Sequence, residues 1–160
     1  MPSMFSVHES INNQKYPSIV KKYNEFNQVT FYYHKDLKFE QFQIYLGQKS
    51  SHKYLRLKVS THGSNWTFFD KAALINSEKQ TLKYQFESVN RKTSFFNSTV
   101  SEKFDDSLSE SNARELLGFL KANNGNLKIR LSGEKQREHE LNNSKINALI
   151  DVLNFYFDEL

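Results

Sequence analysis

Residues 53–61, KYLRLKVST, decide the class of the fold. Leu55, Leu57 and Val59 occupy one face of an extended chain, and Arg56, Lys58 and Ser60 occupy the other. Side chains alternate between faces along a strand, so this pattern describes a sheet with one dry and one wet side, as antiparallel sheets often have. A helix would need apolar residues three and four apart, and here they are two apart.

Downstream, a turn at THGSN (61–65) leads into the apolar run WTFFDKAALI (66–75). QTLKYQFES (80–88) then alternates Leu82, Tyr84 and Phe86 against Lys83, Gln85 and Glu87, and RKTSFFNSTVSEKF (91–104) holds one or two further short strands. Upstream, QVTFYYHK (28–35) sets Val29, Phe31 and Tyr33 against Thr30 and Tyr32, and FQIYLG (42–47) follows after a charged link. An antiparallel meander is the natural arrangement of such segments.

The period changes within 105–125. Ser109 or Ser111 caps a helix whose apolar stripe is Ala113, Leu116, Leu117 and Leu120, and Asn123-Asn124-Gly125 stops it. NLKIRLSG (126–133) returns to alternation, with Leu127, Ile129 and Leu131 inward and Lys128 and Arg130 outward. SGEKQREHE (132–140) has the mixed charge of an exposed loop. Asn143 or Ser144 caps the closing helix, whose face is Ile146, Leu149, Ile150, Leu153 and Phe157. Near the start, Pro17 opens PSIVKKYNEFNQ (17–28), where Ile19, Val20, Tyr23 and Phe26 have helical spacing and Pro suits the first helical position. The expected class is α+β: an antiparallel sheet, as a meander or partial sandwich, packed with two C-terminal helices and a short N-terminal helix.

A length of 160 residues suits a single domain, 1–160, with 1–16 as a flexible N-terminal segment. Phe (14) and Tyr (8) against few Gly (5) and Pro (2) fit aromatic-rich strands. The absence of cysteine removes disulfides, thiolate metal sites and cysteine nucleophiles. His8, His34, His52, His62 and His139 are scattered without metal-ligand spacing, so neither metal nor cofactor is expected. No nucleophile elbow is present, because THGSNW lacks the strand-to-helix sequel. Asp105-Asp106 and Asp158-Glu159 lie near helix ends where solvated charge is ordinary, and no glycine-rich phosphate loop occurs. The expectation is a chain that is not an enzyme. No apolar run reaches the roughly 18 residues of a membrane span, and the N-terminus lacks the pattern of a signal peptide.

The net charge is +4, with 22 Lys and Arg spread among 18 Asp and Glu. The basic excess falls early, at Lys21-Lys22 and SSHKYLRLK (50–58). Lys53, Arg56 and Lys58, then Lys83, then Lys128 and Arg130 point outward from three strands. If those strands share a wet face they make a basic surface on which Tyr32 or Tyr54 could stack bases. Outward Lys and Arg also guard sheets against edge pairing, which leaves both readings open. In SNWTFF (64–69), alternation puts Trp66 and Phe68 on one face and Thr67 and Phe69 on the other. Trp66 is expected to fill the core between sheet and helix and to bind a partner only if exposed. His62, in the turn beside it, is the histidine placed nearest a cleft.

YLRLKVSTHGSNWTFFDKAALI, VSEKFDDSLSESNARELLGFLKANNGNLKIRLSGEK and INALIDVLNFYFDEL together resemble a poorly characterised β-rich domain of bacterial exported proteins and lipoproteins. In that pattern an LRL strand leads through a glycine turn to a Trp and an aromatic pair. A helix, an IRLSG strand and a closing helix with a Tyr near its end follow. The corresponding positions are Leu55-Arg56-Leu57, Gly63, Trp66, Phe68-Phe69, Ile129-Arg130-Leu131-Ser132-Gly133 and Tyr156, within residues 28 to 160. The resemblance implies a small domain that binds a partner at the cell envelope or periplasm, and the chain departs from it by lacking a lipobox cysteine and a signal segment.

The functional expectation is a non-enzymatic binding module of bacterial origin with a protein partner, envelope-associated if the resemblance holds and cytoplasmic otherwise. Its alternatives are a small phage or mobile-element inhibitor, or a nucleic-acid-binding protein with a basic sheet face. The binding candidates are Arg56, Lys58, His62, Trp66 and Arg130, with no catalytic or metal-ligating residue.

Overall fold

The computed structural model describes residues 7–11, 14–38, 40–94, 96–123, 125 and 127–160, and over 7–11 the backbone alone. In chain order the elements are β1 (Val7–Ile11), β2 (Ile19–Asn24), β3 (Val29–His34), β4 (Phe42–Lys49), β5 (His52–Gly63), β6 (Phe69–Asn76), β7 (Thr81–Gln85), β8 (Asn90–Ser94), β9 (Thr99–Leu108), α1 (Glu110–Ala122), β10 (Leu127–Gly133), β11 (Gln136–Leu141) and α2 (Asn143–Glu159). A 3-10 turn, Lys35–Leu37, follows β3.

The strands make two antiparallel sheets, a larger one in the order β1-β2-β3-β4-β5-β9-β8 and a smaller one in the order β11-β10-β6-β7. The chain crosses the larger sheet as a meander as far as β5, leaves to lay down β6 and β7, and returns with β8 and β9 on the far side of β5. After α1 it sets β10 beside β6 and β11 beside β10, and α2 closes the chain. The class is α+β, mostly antiparallel sheet with two C-terminal helices, as the alternation of β5, β7 and β10 requires.

One apolar cluster joins both sheets and both helices. Phe42, Ile44 and Leu46 on β4 lie beside Val59, Leu57 and Leu55 on β5, and Phe69, Ala72, Leu74, Ile129 and Leu131 from the smaller sheet complete the same cluster. Burying each such Leu, Ile or Phe contributes about 1.5–3 kcal/mol. Ser109 caps α1 by accepting from the Asn112 amide at 3.2 Å. α2 packs on β3, β4 and α1, and its Phe155 ring sits 5.1 Å from Tyr32 and 5.5 Å from Tyr16. Its cap is Asn142, one residue ahead of the expected Asn143 or Ser144. The buried face also takes in Val152 and Tyr156, while Ile150 and Phe157 are only half-buried.

Two expectations are corrected. Residues 17–28 do not form a helix: Ile19–Asn24 is β2, paired with β3 from Ile19↔His34 to Asn24↔Val29. The reversal that follows explains why. The Asn24 side chain accepts from the Phe26 amide at 2.9 Å, and Gln28 takes a left-handed φ of 57°, so the chain folds back and the β-branched pair Ile19-Val20 finds a strand partner. Phe26, the last residue of the supposed apolar stripe, is 73% exposed in that turn. Second, residues 136–141 are not loop but β11, a polar edge strand paired with β10 along its length and anchored by buried Leu141. Within the segment 1–16, the backbone of residues 7–11 pairs with β2 as β1, and residues 1–6, 12 and 13 lie outside the described residues. No helix among the described residues is long and apolar enough to cross a membrane.

Candidate binding face of the larger sheet

The helices and the smaller sheet cover one side of the larger sheet, and strand register fixes what stands on the other. Residues directly opposite on neighbouring strands share a face. Lys22 pairs with Phe31, Phe31 with Gly47, and Gly47 with Tyr54, which makes one row. Tyr45 pairs with Arg56 and Arg56 with Ser107; Gln43 pairs with Lys58 and Lys58 with Asp105. Farther along, Ser60 pairs with Lys103 and Lys103 with Asn90, and His62 pairs with Ser101 and Ser101 with Lys92. The open face is therefore a field of Lys22, Arg56, Lys58, Lys92 and Lys103 around the rings of Phe31, Tyr33 and Tyr45.

Two hollows mark it. One, of about 280 Å³, is bounded by Phe31, Tyr33, Tyr45, Lys22, Lys38 and Lys58. The next, about 350 Å³, also begins at Lys58 and continues past Ser60 and His62 to Lys92 and Lys103. The ammonium groups of Lys22 and Lys38 lie 5.7 and 5.9 Å from the Tyr33 ring centre. Asp105 is the carboxylate at the centre of the field. It accepts the Tyr45 hydroxyl at 2.9 Å and Arg56 Nε at 3.0 Å, while Arg56 Nη2 donates to the Asp105 carbonyl at 2.9 Å. Burial and this carboxylate push the Tyr45 hydroxyl up to about 12, so it remains a neutral donor.

A larger hollow, about 1090 Å³, lies on the outer side of the smaller sheet beside the start of α2. There Lys128 pairs with Glu140, and Arg130 pairs with Glu138 at 3.4 Å between side chains. Its lining sets Glu138 and Glu140 against Lys79, Lys128 and Arg130, a smaller cationic excess than on the open face, so size alone does not make it the better candidate.

Of the residues expected to bind, Arg56, Lys58 and His62 stand together on the open face of β5. Arg130 belongs to the other sheet. The expected basic surface spanning β5, β7 and β10 does not form as one sheet face, since β5 is paired with strands of the larger sheet and β7 and β10 with strands of the smaller one. Lys53 has the inner parity of β5: its Nζ donates to the Tyr156 carbonyl at 3.1 Å and sits 4.3 Å from that ring. Tyr32 is 4% exposed and turned toward α2, and the Tyr54 ring lies over Gly47, where a Cβ would collide with it.

Trp66 does not fill the core. It is half-buried and stacked on exposed Phe68, centroids 5.4 Å apart, whereas Thr67 and Phe69 point inward. The alternation in 64–69 is as expected, but the faces are exchanged, because Glu102 on β9 takes hold of the segment from the inside. Its carboxylate accepts from the amides of Thr67 at 2.8 Å and Phe69 at 3.2 Å and pairs with Arg91 at 3.1 Å. Arg137 secures the outside, donating to Thr61 Oγ1 and to the carbonyls of His62 and Asn65. The Trp66–Phe68 stack thus caps the crossing from one sheet to the other.

Phe31, Tyr33 and Tyr45 were not identified as site residues from the sequence. Their signal was present in the parity of 29–33 and 42–47, but aromatics on both faces of β3 made the wet side ambiguous. No family model, curated protein or solved structure matches the chain.

Proposed function

We propose that the chain is a non-enzymatic binding module that takes an anionic partner on the open face of the larger sheet. The observation that carries this reading is the register of β2, β3, β4, β5, β9 and β8, which lines up Lys22, Lys58, Lys103 and Lys92 on one surface around aromatic rings. Cations gathered on one face raise the local concentration of an anionic ligand, and desolvated rings beside them add contact area. Two acids weaken the field without cancelling it: Asp105 is held by Arg56 and Tyr45, Asp106 lies 4.0 Å from the same guanidinium, and the lysines remain in excess of the one charge Arg56 leaves unmatched. An envelope setting or a mobile-element origin would change which partner the cell supplies and leave the surface the same.

The test is a heparin titration of isotopically labelled protein followed by amide chemical shifts. Changes concentrated on β3, β4, β5 and β9 support the proposal. Changes confined to β10 and β11, or no changes, reject it.

A further inference from the structure

We infer that the occupant of this face is single-stranded nucleic acid, an inference that rests on the anionic-partner reading above. Phe31 and Tyr33 are two residues apart on β3 and stand on the same side, about 6.7 Å from each other along the strand. Tyr45 stands on the adjacent strand, its ring 6.3 Å from that of Phe31. All three rings border the same hollow. A polyanion that carried charge alone would gain little from them, whereas unpaired bases gain stacking energy on every accessible ring.

The cations are placed for the backbone of such a strand. Lys22 and Lys38 hold their ammonium groups over the Tyr33 ring, so a base that takes their place on the ring meets two long, movable cations within reach of the neighbouring phosphates. Gln43, in the same hollow, donates its amide nitrogen to the carbonyls of Lys38 and Glu40, which leaves its own oxygen to accept from a base edge. From there Lys58 leads into the second hollow and on to Lys103 and Lys92. The path from the row of Tyr54 to the row of His62 spans eight residues of β5, about 26 Å of extended strand. That is a footprint for roughly 4–8 nucleotides.

A duplex suits the face poorly. Its bases are stacked and paired, and reading them requires a helix or two-stranded ribbon inserted into a groove, not a broad sheet surface. An acidic peptide would meet the lysines but leave the rings without planar partners.

The experiment is fluorescence anisotropy with the full chain and three probes: a labelled single strand of about 12 deoxythymidines, a duplex of the same length, and poly-glutamate. Single strand is expected to bind at least about tenfold more tightly than either of the others, and Phe31→Ala and Tyr33→Ala each to weaken it by about tenfold or more. Tyr33→Phe, which keeps the ring, is expected to bind like the parent, and Tyr33→Leu, which keeps the apolar volume, to bind like Tyr33→Ala. Equal binding of single strand and duplex, or aromatic variants that bind like the parent, overturns the inference. Poly-glutamate binding as tightly as the single strand overturns it too but leaves the anionic-partner reading standing. Failure of every probe removes both.

Discussion

Arg56 and Asp105 are joined twice, by Nε to Oδ1 at 3.0 Å and by Nη2 to the backbone carbonyl at 2.9 Å. Tyr45 donates to the same carboxylate. The arginine most visible in the sequence is thereby occupied in holding β5, β4 and β9 together, and the acid beside the lysines repels any incoming anion. Asp105→Asn keeps an accepting oxygen for Tyr45 and Arg56 while removing one negative charge. Affinity for a polyanion should rise by about three- to fivefold at low ionic strength and converge on the parent value in high salt. Isothermal titration with heparin at two salt concentrations checks both parts.

Glu102 is 1% exposed, and its carboxylate is satisfied by two backbone amides and Arg91. Glu102→Ala orphans those amides and leaves the guanidinium without its buried partner. The expected loss is about 3–5 kcal/mol of stability, read as a lower urea midpoint. Glu102→Gln retains one accepting oxygen and should lose about half as much.

Two glycines should respond with opposite sign. At Gly133, where the register of β10 and β6 shifts, an added Cβ would run into the Phe68 carbonyl, which is backbone and cannot swing aside. Gly133→Ala should cost about 2 kcal/mol or more. Gly118 lies on an exposed side of α1 with open space around it, and Gly118→Ala should stabilise by about 0.5–1 kcal/mol. Thermal unfolding of the two variants tests the close approach of the sheet crossing to β10.

Stability should depend on pH through buried histidine. His34 is 3% exposed, and burial lowers its pKa below 6.5, helped by Lys35 and opposed by the nearby Asp36 and Asp151. Its Nδ1 accepts from the Asp36 amide, a bond that the protonated ring cannot make. The unfolded chain takes up a proton more readily, so the contribution is fully present above about pH 6.5 and is lost as pH falls through the lower folded value. His139, lowered by burial and Arg137 and opposed by Glu40, acts with the same sign. Urea midpoints should therefore fall between pH 7.5 and pH 5, and His34→Gln should reduce that fall without abolishing it. An equal fall in the variant would assign the effect elsewhere.

Much of the fold was legible because alternation is a local signal. The inward sets of β5 and β10, the Ser109 cap and the Asn123 stop all follow from residues a few positions apart. Residues 17–28 were not legible, because Ile19, Val20, Tyr23 and Phe26 satisfy a helical period while the Asn24–Gln28 reversal, which decides the matter, is a turn read only through its partner β3. β11 reads as loop because it is an edge strand with polar residues on nearly every position. For the site, the parity of β5 placed Arg56 and Lys58 on the wet side. The division of β5 and β10 between two sheets depends on pairings distant in sequence, so the grouping of Lys58 with Lys103 and Lys22, and not with Arg130, could not be read from either strand alone.

The surface assignment is tested most directly by heparin affinity measured across a range of salt for the parent, Lys58→Glu and Lys128→Glu. Lys58, common to both hollows, should be costly to reverse: about tenfold weaker binding with a salt slope flatter by about one. Lys128, on the outer side of the smaller sheet opposite Glu140, should be neutral to reverse. Binding that survives Lys58→Glu and is lost in Lys128→Glu would place the partner on the smaller sheet and contradict the assignment.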